Sequence, residues 1–397
     1  MFLALLELRA ARGRFLLMGS VVVLVAALVG IVSGFTTGLG DDTVSALRRL
    51  PATHVAFASG SDSDQFARGL VDARTAEDWG REAGAEASPL GVTITRGTTG
   101  RGTEVDLAAF GVVPGAFTDP GADDGGRLDP ARPDGVVVSR QLLDEGVRIG
   151  DALVVDRLGI RLHVVGATGR SSYGHVPVAY MTADTWRRVR FTAPGAASAV
   201  PGAASAAPSA ASAAPGAASA APAGLPAQYS AVALRLPEGT DGAALAAADR
   251  RHDTTTVPLE TAFAAAPGYD GERLTMTSIQ TFLFLIAPLV VGAFFAVWTV
   301  QRTPELALLR AMGASRRRLL GHTLAQAAVV VATGTAVGAA LAAGVGLLVG
   351  EQVPFSLPAG TLAATMLAVA VVGLAGSALT LRRVATVDPM TLLGAGR

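Results

Sequence analysis

FLFLIAPLVVGAFFAVWTVQRTPELALLRAMGASRRRLL, residues 282–320, decides the architecture. Its first half is an uncharged apolar run of spanning length, which for a helix is roughly 20 residues. Its second half, residues 301–320, is polar and carries five arginines. There Pro304 suits a first helical turn, Glu305 favours the positive end of a helix dipole, and Gly313 fits the left-handed residue that ends a helix. A short helix over 304–312 follows, with Leu306, Leu309 and Met312 on one stripe, Arg310 beside it and Ser315 placed to cap the next helix. A basic loop alone would hold two membrane helices in orientation. A helix with both ends specified, inside a connection that needs only a handful of polar residues, offers itself instead to a soluble partner.

Three further apolar runs, residues 15–35, 324–350 and 357–381, have spanning length, and backbone hydrogen bonding inside lipid makes all four helices. Arginines flank each one: Arg9, Arg12 and Arg14 before the first, Arg302 and Arg310 after the second, Arg316, Arg317 and Arg318 before the third, Arg382 and Arg383 after the fourth. With positive charge kept inside, the assignments agree: both termini cytoplasmic, residues 36–281 outside, and a brief outer turn near 351–356. The first run exceeds a typical signal-peptide core and no Ala-x-Ala site follows, so a signal anchor is expected. None of the runs contains Asp, Glu, Lys, Arg or His. That argues against an ion-coupled transporter, which keeps such groups at mid-membrane. Gly334-x-x-x-Gly338, Gly346-x-x-x-Gly350 and Gly373-x-x-x-Ser377 are spacings that let helix backbones approach closely, and packing within the chain is favoured over a dedicated dimer face. Pro288 is a candidate bend in the second span.

Half of the 397 residues are apolar, mean hydropathy is +0.45 and the formal net charge is zero. No nucleic-acid surface is indicated. Cysteine is absent, which removes disulfides, thiol chemistry and thiolate-bound metal. All 32 basic residues are arginine. A Walker A loop needs its lysine on the phosphates, so these residues contain no ordinary P-loop ATPase.

Between the first two spans the pattern is mixed α+β. GVVVS (135–139) is a β-branched run, 141–145 a helical turn, and 152–155 and 161–165 are strands; 228–237 resumes strand-like alternation, while 245–254 and 259–266 look helical. Prolines at 194, 201, 208, 215 and 222 punctuate an Ala/Ser repeat, which forbids a continuous helix and makes 193–227 an Ala/Pro/Ser-rich disordered insertion. Chemistry is thin. His54, His163, His175, His252 and His322 show no metal spacing, Asp41-Asp42 and Asp123-Asp124 sit in turn contexts, and Ser171-Ser172 lacks a Gly-x-Ser-x-Gly elbow. No enzyme site is expected.

The run 301–320 resembles the "ERxxEIxxLRAxGAsrrxi" segment of FtsX/MacB-type ABC transporter permeases, which joins the second and third membrane helices and docks on the ATPase. GVVVSRQLLDEGVRIGDALVVD followed by IRLHVVGATG (135–169) resembles the extracytoplasmic domain of that family, and LPATHVAFASG (50–60) is similar to its DevC-like branch. Gln301, Thr303 and Pro304 depart from the family's usual charged residues. The resemblance implies an α-helical membrane protein with four transmembrane helices and a large mixed α+β extracytoplasmic domain inserted between helices 1 and 2. Its parts would be 1–38 (cytoplasmic N-terminus and first helix), 39–280 (MacB-like domain) and 281–397 (helices 2–4 with coupling helix 304–313 and a cytoplasmic C-terminus). It further implies a permease subunit in a bacterial cytoplasmic membrane, working as a homodimer with a separate ABC ATP-binding subunit. This chain would bind no cofactor, with ATP and Mg held by that partner, and a periplasmic or extracellular accessory protein is a further expected partner. Glu305, Leu306, Leu309, Arg310, Gly313 and Ala314 would dock the ATPase, and Asp388, Pro389 and Leu392, matching the family's "xPaeaLR" ending, would form a secondary contact. Two alternatives stay open: an FtsX-like mechanotransmission subunit regulating an extracellular hydrolase, and an ATP-independent tethered binding module.

Because the chain lacks cysteine, topology is directly testable. In intact cells a membrane-impermeant maleimide should label Ser209→Cys and should reach Thr303→Cys only after permeabilisation; the reverse pattern would invert the orientation.

Overall fold

A computed structural model describes residues 12–60, 65–193, 226–301, 315–349 and 353–385. It divides into a helical unit, Met1–Asp41 with Gly271–Arg397, and a sheet unit, Asp42–Asp270.

Four long helices cover the four apolar runs: α1 (Arg12–Thr43), α9 (Tyr269–Gln301), α10 (Arg316–Val349) and α11 (Ala359–Ala385). Each contains a stretch long and apolar enough to cross a membrane. Three of them outrun their apolar stretches by two turns or more, α1 continuing from 36 to Thr43, α9 beginning at Tyr269 rather than near 282 and α10 beginning at Arg316 rather than near 324. Hydropathy reads where lipid is tolerated, not where helical hydrogen bonding stops, so polar turns added at an end are invisible to it. Helix α9 runs unbroken through position 288.

In the sheet unit the shorter helices are α2 (Ser45–Arg48), α3 (Gln65–Arg68), α4 (Ala73–Gly80), α5 (Arg140–Asp144), α6 (Ala183–Phe191), α7 (Gly242–His252) and α8 (Leu259–Ala262). The strands are β1 (His54–Ala58), β2 (Val71–Asp72), β3 (Glu86–Thr99), β4 (Glu104–Val112), β5 (Asp124–Gly125), β6 (Gly135–Ser139), β7 (Ala152–Val155), β8 (Arg161–Thr168), β9 (Ser172–Tyr173), β10 (Val176–Thr182), β11 (Gln228–Tyr229), β12 (Ala231–Arg235) and β13 (Thr254–Pro258). The expected elements at 135–139, 141–145, 152–155 and 161–165 are present. The helical readings at 245–254 and 259–266 correspond to α7 and to α8 with a 3-10 turn at Phe263–Ala265, except that Thr254, the last residue of the first, opens β13. Thr254, Thr255, Thr256 and Val257 are β-branched and stiff at χ1, which favours the strand.

Among the described residues, β3, β4, β10, β6, β8 and β7 pair in succession and β7 returns to β3, closing a six-stranded ring. The N-terminal half of β3 extends out of the ring and carries β12, β1 and β13. Alternate residues of the ring strands feed two separate cores. Leu107, Ala109, Val136, Val138, Ala179 and Met181 join Leu153, Leu162 and Val164 in one; Ala108, Phe110, Val137, Val178 and Tyr180 join Phe57, Phe66 and Leu90 in the other. Strands covered on both faces read as continuous apolar runs, as GVVVS does.

Trp186 of α6 is wholly buried over β3 and β4 where Gly91 faces Gly111 in register. A Cβ on Gly91 would lie 2.2 Å, and one on Gly111 2.4 Å, from Trp186. The paired glycines are therefore the seat of the indole. Arg187, 2% exposed, bonds Asp184 at 3.0 Å and donates through Nε to the Pro226 carbonyl at 3.0 Å, while Trp186 stacks on Tyr229. Adjacent side chains of α6 thus hold Pro226 and Tyr229.

Gly111→Ala forces the indole out of its seat, and overpacking of this kind costs about 1–3 kcal/mol. Thermal unfolding followed by near-UV circular dichroism should show the loss, and Trp186→Ala in the same chain should relieve part of it; simple additivity of the two substitutions would contradict the packing account.

Candidate functional site

The docking residues expected from the sequence, Glu305, Leu306, Leu309, Arg310, Gly313 and Ala314, lie outside the described residues, as do Asp388, Pro389 and Leu392. What the structure describes is the helices on either side of residues 302–314. Helix α9 ends at Gln301 and α10 begins at Arg316, the residue after Ser315, so residues 302–315 join these two helices in the sequence.

Those helices converge on α1. A Cβ on Gly334 would meet Val22 at 2.7 Å, and one on Gly338 would meet Ala26 at 2.6 Å and the Ala27 backbone nitrogen at 2.9 Å, so the first expected glycine pair seats α10 on α1. Gly346 faces Phe355 instead. A second stripe, Gly30, Gly34 and Gly38, runs along α1 itself. Its would-be Cβ atoms meet Ala342 and Met366, then the Phe355 ring, then the Pro354 backbone. The Ser356 amide donates to the Gly34 carbonyl at 3.1 Å, and Phe35 packs edge-on against Phe355. The α10–α11 connection is thereby fitted onto α1. The spacing of that stripe is as plain in the sequence as that of 334 and 338, and the sequence reading passed over it.

Polar groups in the bundle are paired. Ser33, fully buried, accepts from Gln280 Nε2 of α9 at 2.9 Å, and Thr335 returns its hydroxyl to the Val331 carbonyl at 2.8 Å. By contrast α9 presents Phe282, Leu285 and Leu289 outward, with Leu289 72% exposed. An apolar surface of that kind suits hydrocarbon.

Among the described residues no three His, Cys, Asp or Glu side chains come together as a metal site. Ser172 Oγ lies 2.7 Å from Asp42 Oδ1 and 2.8 Å from the Asp42 carbonyl oxygen, so its proton is committed to Asp42 rather than to a histidine base. His175 faces Thr43 Oγ1 at 3.2 Å and Asp42 Oδ2 at 3.9 Å. His252 shares Glu82 Oε1 with Arg251, and hydrogen bonds from these two hold the Glu82 carboxyl below its ordinary range. Burial lowers His54 and raises Tyr180 and Tyr229, the ordinary desolvation response. Asp124 is bonded to Arg140 at 2.7 Å. These are fastenings of the fold.

The class defined so far is a four-helix membrane protein with one sheet domain between its first and second helices. Residues 277–389, which include most of α9 and all of α10 and α11, match the FtsX-like permease C-terminal family. The chain is similar to proteins named hemin transport system permease HrtB. That of Staphylococcus epidermidis is 25% identical over 129 residues, 32% of this chain and 37% of the relative. That of Staphylococcus haemolyticus is 27% identical over 126 residues, 32% and 36% of the two chains. The chain covers little more than a third of these curated relatives. Among solved structures, the periplasmic region of MacB from Actinobacillus actinomycetemcomitans is similar at a TM-score of 0.35 and 10% identity, over 53% of this chain and 91% of that one. The extracellular domain of the noncanonic ABC-type transporter YknZ from Gram-positive bacteria gives a TM-score of 0.33 and 10% identity, over 52% and 98%.

If close backbone approach holds the bundle, Gly338→Leu should lower its melting temperature in detergent by several degrees, since overpacking costs about 1–3 kcal/mol. Gly344→Leu, which has open space around it, should melt as wild type; equal losses at both positions would refute the packing account.

Proposed function

We propose that this chain is the transmembrane subunit of an ABC exporter, coupling ATP hydrolysis by a separate ATP-binding subunit to movement of the domain between its first and second helices. The observation that carries the reading is the family match over 277–389, which brackets the arginine-rich segment at 301–320. In it, residues 304–313 form the coupling helix. Leu306 and Leu309 enter an apolar groove on the ATPase, Glu305 and Arg310 pair with its charges, Gly313 sets the angle at which the chain leaves the helix, and Ala314 leaves room for close approach. Asp388, Pro389 and Leu392 add a second contact.

These residues lack a P-loop lysine, so ATP and Mg belong to the partner. The spans carry no ionisable group within their apolar runs, which fits a machine driven from the cytoplasmic side rather than by an ion gradient. Two copies of the chain work with two ATPase subunits in the bacterial cytoplasmic membrane, with both termini in the cytoplasm and the sheet domain outside.

Tagged wild type and Glu305→Arg/Leu309→Asp, purified from detergent, test this. Wild type should bring down a P-loop subunit with ATPase activity, and the double variant should lose it by about tenfold or more, as expected when a charge and an apolar anchor of one small interface are both reversed. Wild type arriving alone and without ATPase activity would indicate a tethered binding module instead.

A further inference from the structure

The last turn of a helix leaves carbonyl groups without intrahelical partners. At the end of α1 two of them are taken by a distant element. The Asp42 carbonyl faces Ser172 Oγ at 2.8 Å, and the Thr43 carbonyl accepts from the Gly174 amide at 2.8 Å. Side chains reinforce this. Asp42 Oδ1 faces Ser172 Oγ at 2.7 Å and Gln141 Nε2 at 3.4 Å, and Ser45 Oγ accepts from the Ser172 amide at 2.8 Å. The donors are concentrated in the β9–β10 hairpin, whose two-residue loop is Gly174-His175 with φ of 59° and 63°. Such a loop favours Gly or Asn at both positions. His175 occupies the second with a long side chain that reaches back to Thr43 and Asp42. Beyond the loop, β10 pairs with β4 on one side and β6 on the other, inside the ring.

We infer that the β9–β10 hairpin is the latch that fastens the first membrane helix to the sheet ring, with Ser172, Gly174 and His175 gripping Asp42 and Thr43 so that displacement of α1 is delivered to β10. The inference rests on the proposed function, since it supplies the contact that such coupling requires. Ser172 and His175 are positioning residues; neither touches a substrate. The latch acts closed: it transmits because it holds.

The absence of native cysteine allows a rescue test. Ser45 Oγ and Ser172 Oγ are 3.2 Å apart, so Ser45→Cys/Ser172→Cys places two thiols where a disulfide can replace the hydrogen bonds. The loosened variant is Asp42→Ala/His175→Gly; glycine is the residue this loop conformation prefers, so the turn itself is retained. Hydrogen exchange over residues 135–182 is measured in the full chain with its co-purified ATPase, with and without ATP plus orthovanadate. Wild type should show a nucleotide-dependent change. The loosened variant should keep its ATPase and its melting temperature yet lose the change by about fivefold or more. Adding the cysteine pair should restore it when oxidised and lose it again with reductant. A loosened variant that responds as wild type, or a response the oxidised disulfide does not restore, would overturn the latch. A wild-type chain with no bound ATPase or no nucleotide response would sink the proposed function and the latch together, an outcome seen in wild type and so distinct from one confined to the variants.

Discussion

Close approach of α1 to the other membrane helices is the constraint on which the helical unit depends. Lipid supplies no hydrophobic force to drive helices together, so association must come from contact distance and from polar pairs. Gly334 and Gly338 on α10, and Gly30, Gly34 and Gly38 on α1, provide the distance. Ser33 with Gln280, and Thr36 with Met276, provide long-range side-chain bonds between α1 and α9. Both α9 and α10 thus pack on α1.

The sheet unit solves a different problem by a different route. Its ring buries both faces of β4, β6 and β10, and side-chain size does the sorting: small residues where Trp186 must sit, large ones where two layers meet. Ion pairs such as Arg96 with Asp106 and Arg235 with Glu86 lie on its exposed surface, where such pairs contribute little to stability. Arg187, by contrast, is buried, and it is bonded to Asp184 and to the Pro226 carbonyl.

Much of this was legible in the sequence, and what was not has physical causes. The four spans are visible because lipid demands long apolar runs, and GVVVS is visible because a strand buried on both faces has no polar positions. The β3–β4 pair escaped notice because Pro89, Gly91 and Gly97 interrupt β3 with residues that ordinarily disfavour strands. Two of these have structural reasons: Gly91 admits Trp186, and a Cβ on Gly97 would press on Leu153 of β7 at 3.1 Å, where the ring closes. Ser171-Ser172 and His175 stood out as a tempting cluster, but the partner of Ser172 and His175 was Asp42, 130 residues away from Ser172, and no local pattern announces such a pairing. The segment 304–313 is the converse case, written plainly in the chain yet outside the described structure.

The pairing of β1 has a consequence in time. Its neighbours are β12 and β13, so His54 waits for Leu234 and Val55 for Val257. A nascent chain has made α1 and β1 long before either neighbour exists, and β1 carries the uninterrupted apolar run Val55-Ala56-Phe57. Non-local pairing of this kind is slow and leaves strand edges open while it waits. During that interval β1 is an adhesive edge, and the sheet domain reaches its native state only after the chain has been synthesised almost to the start of α9.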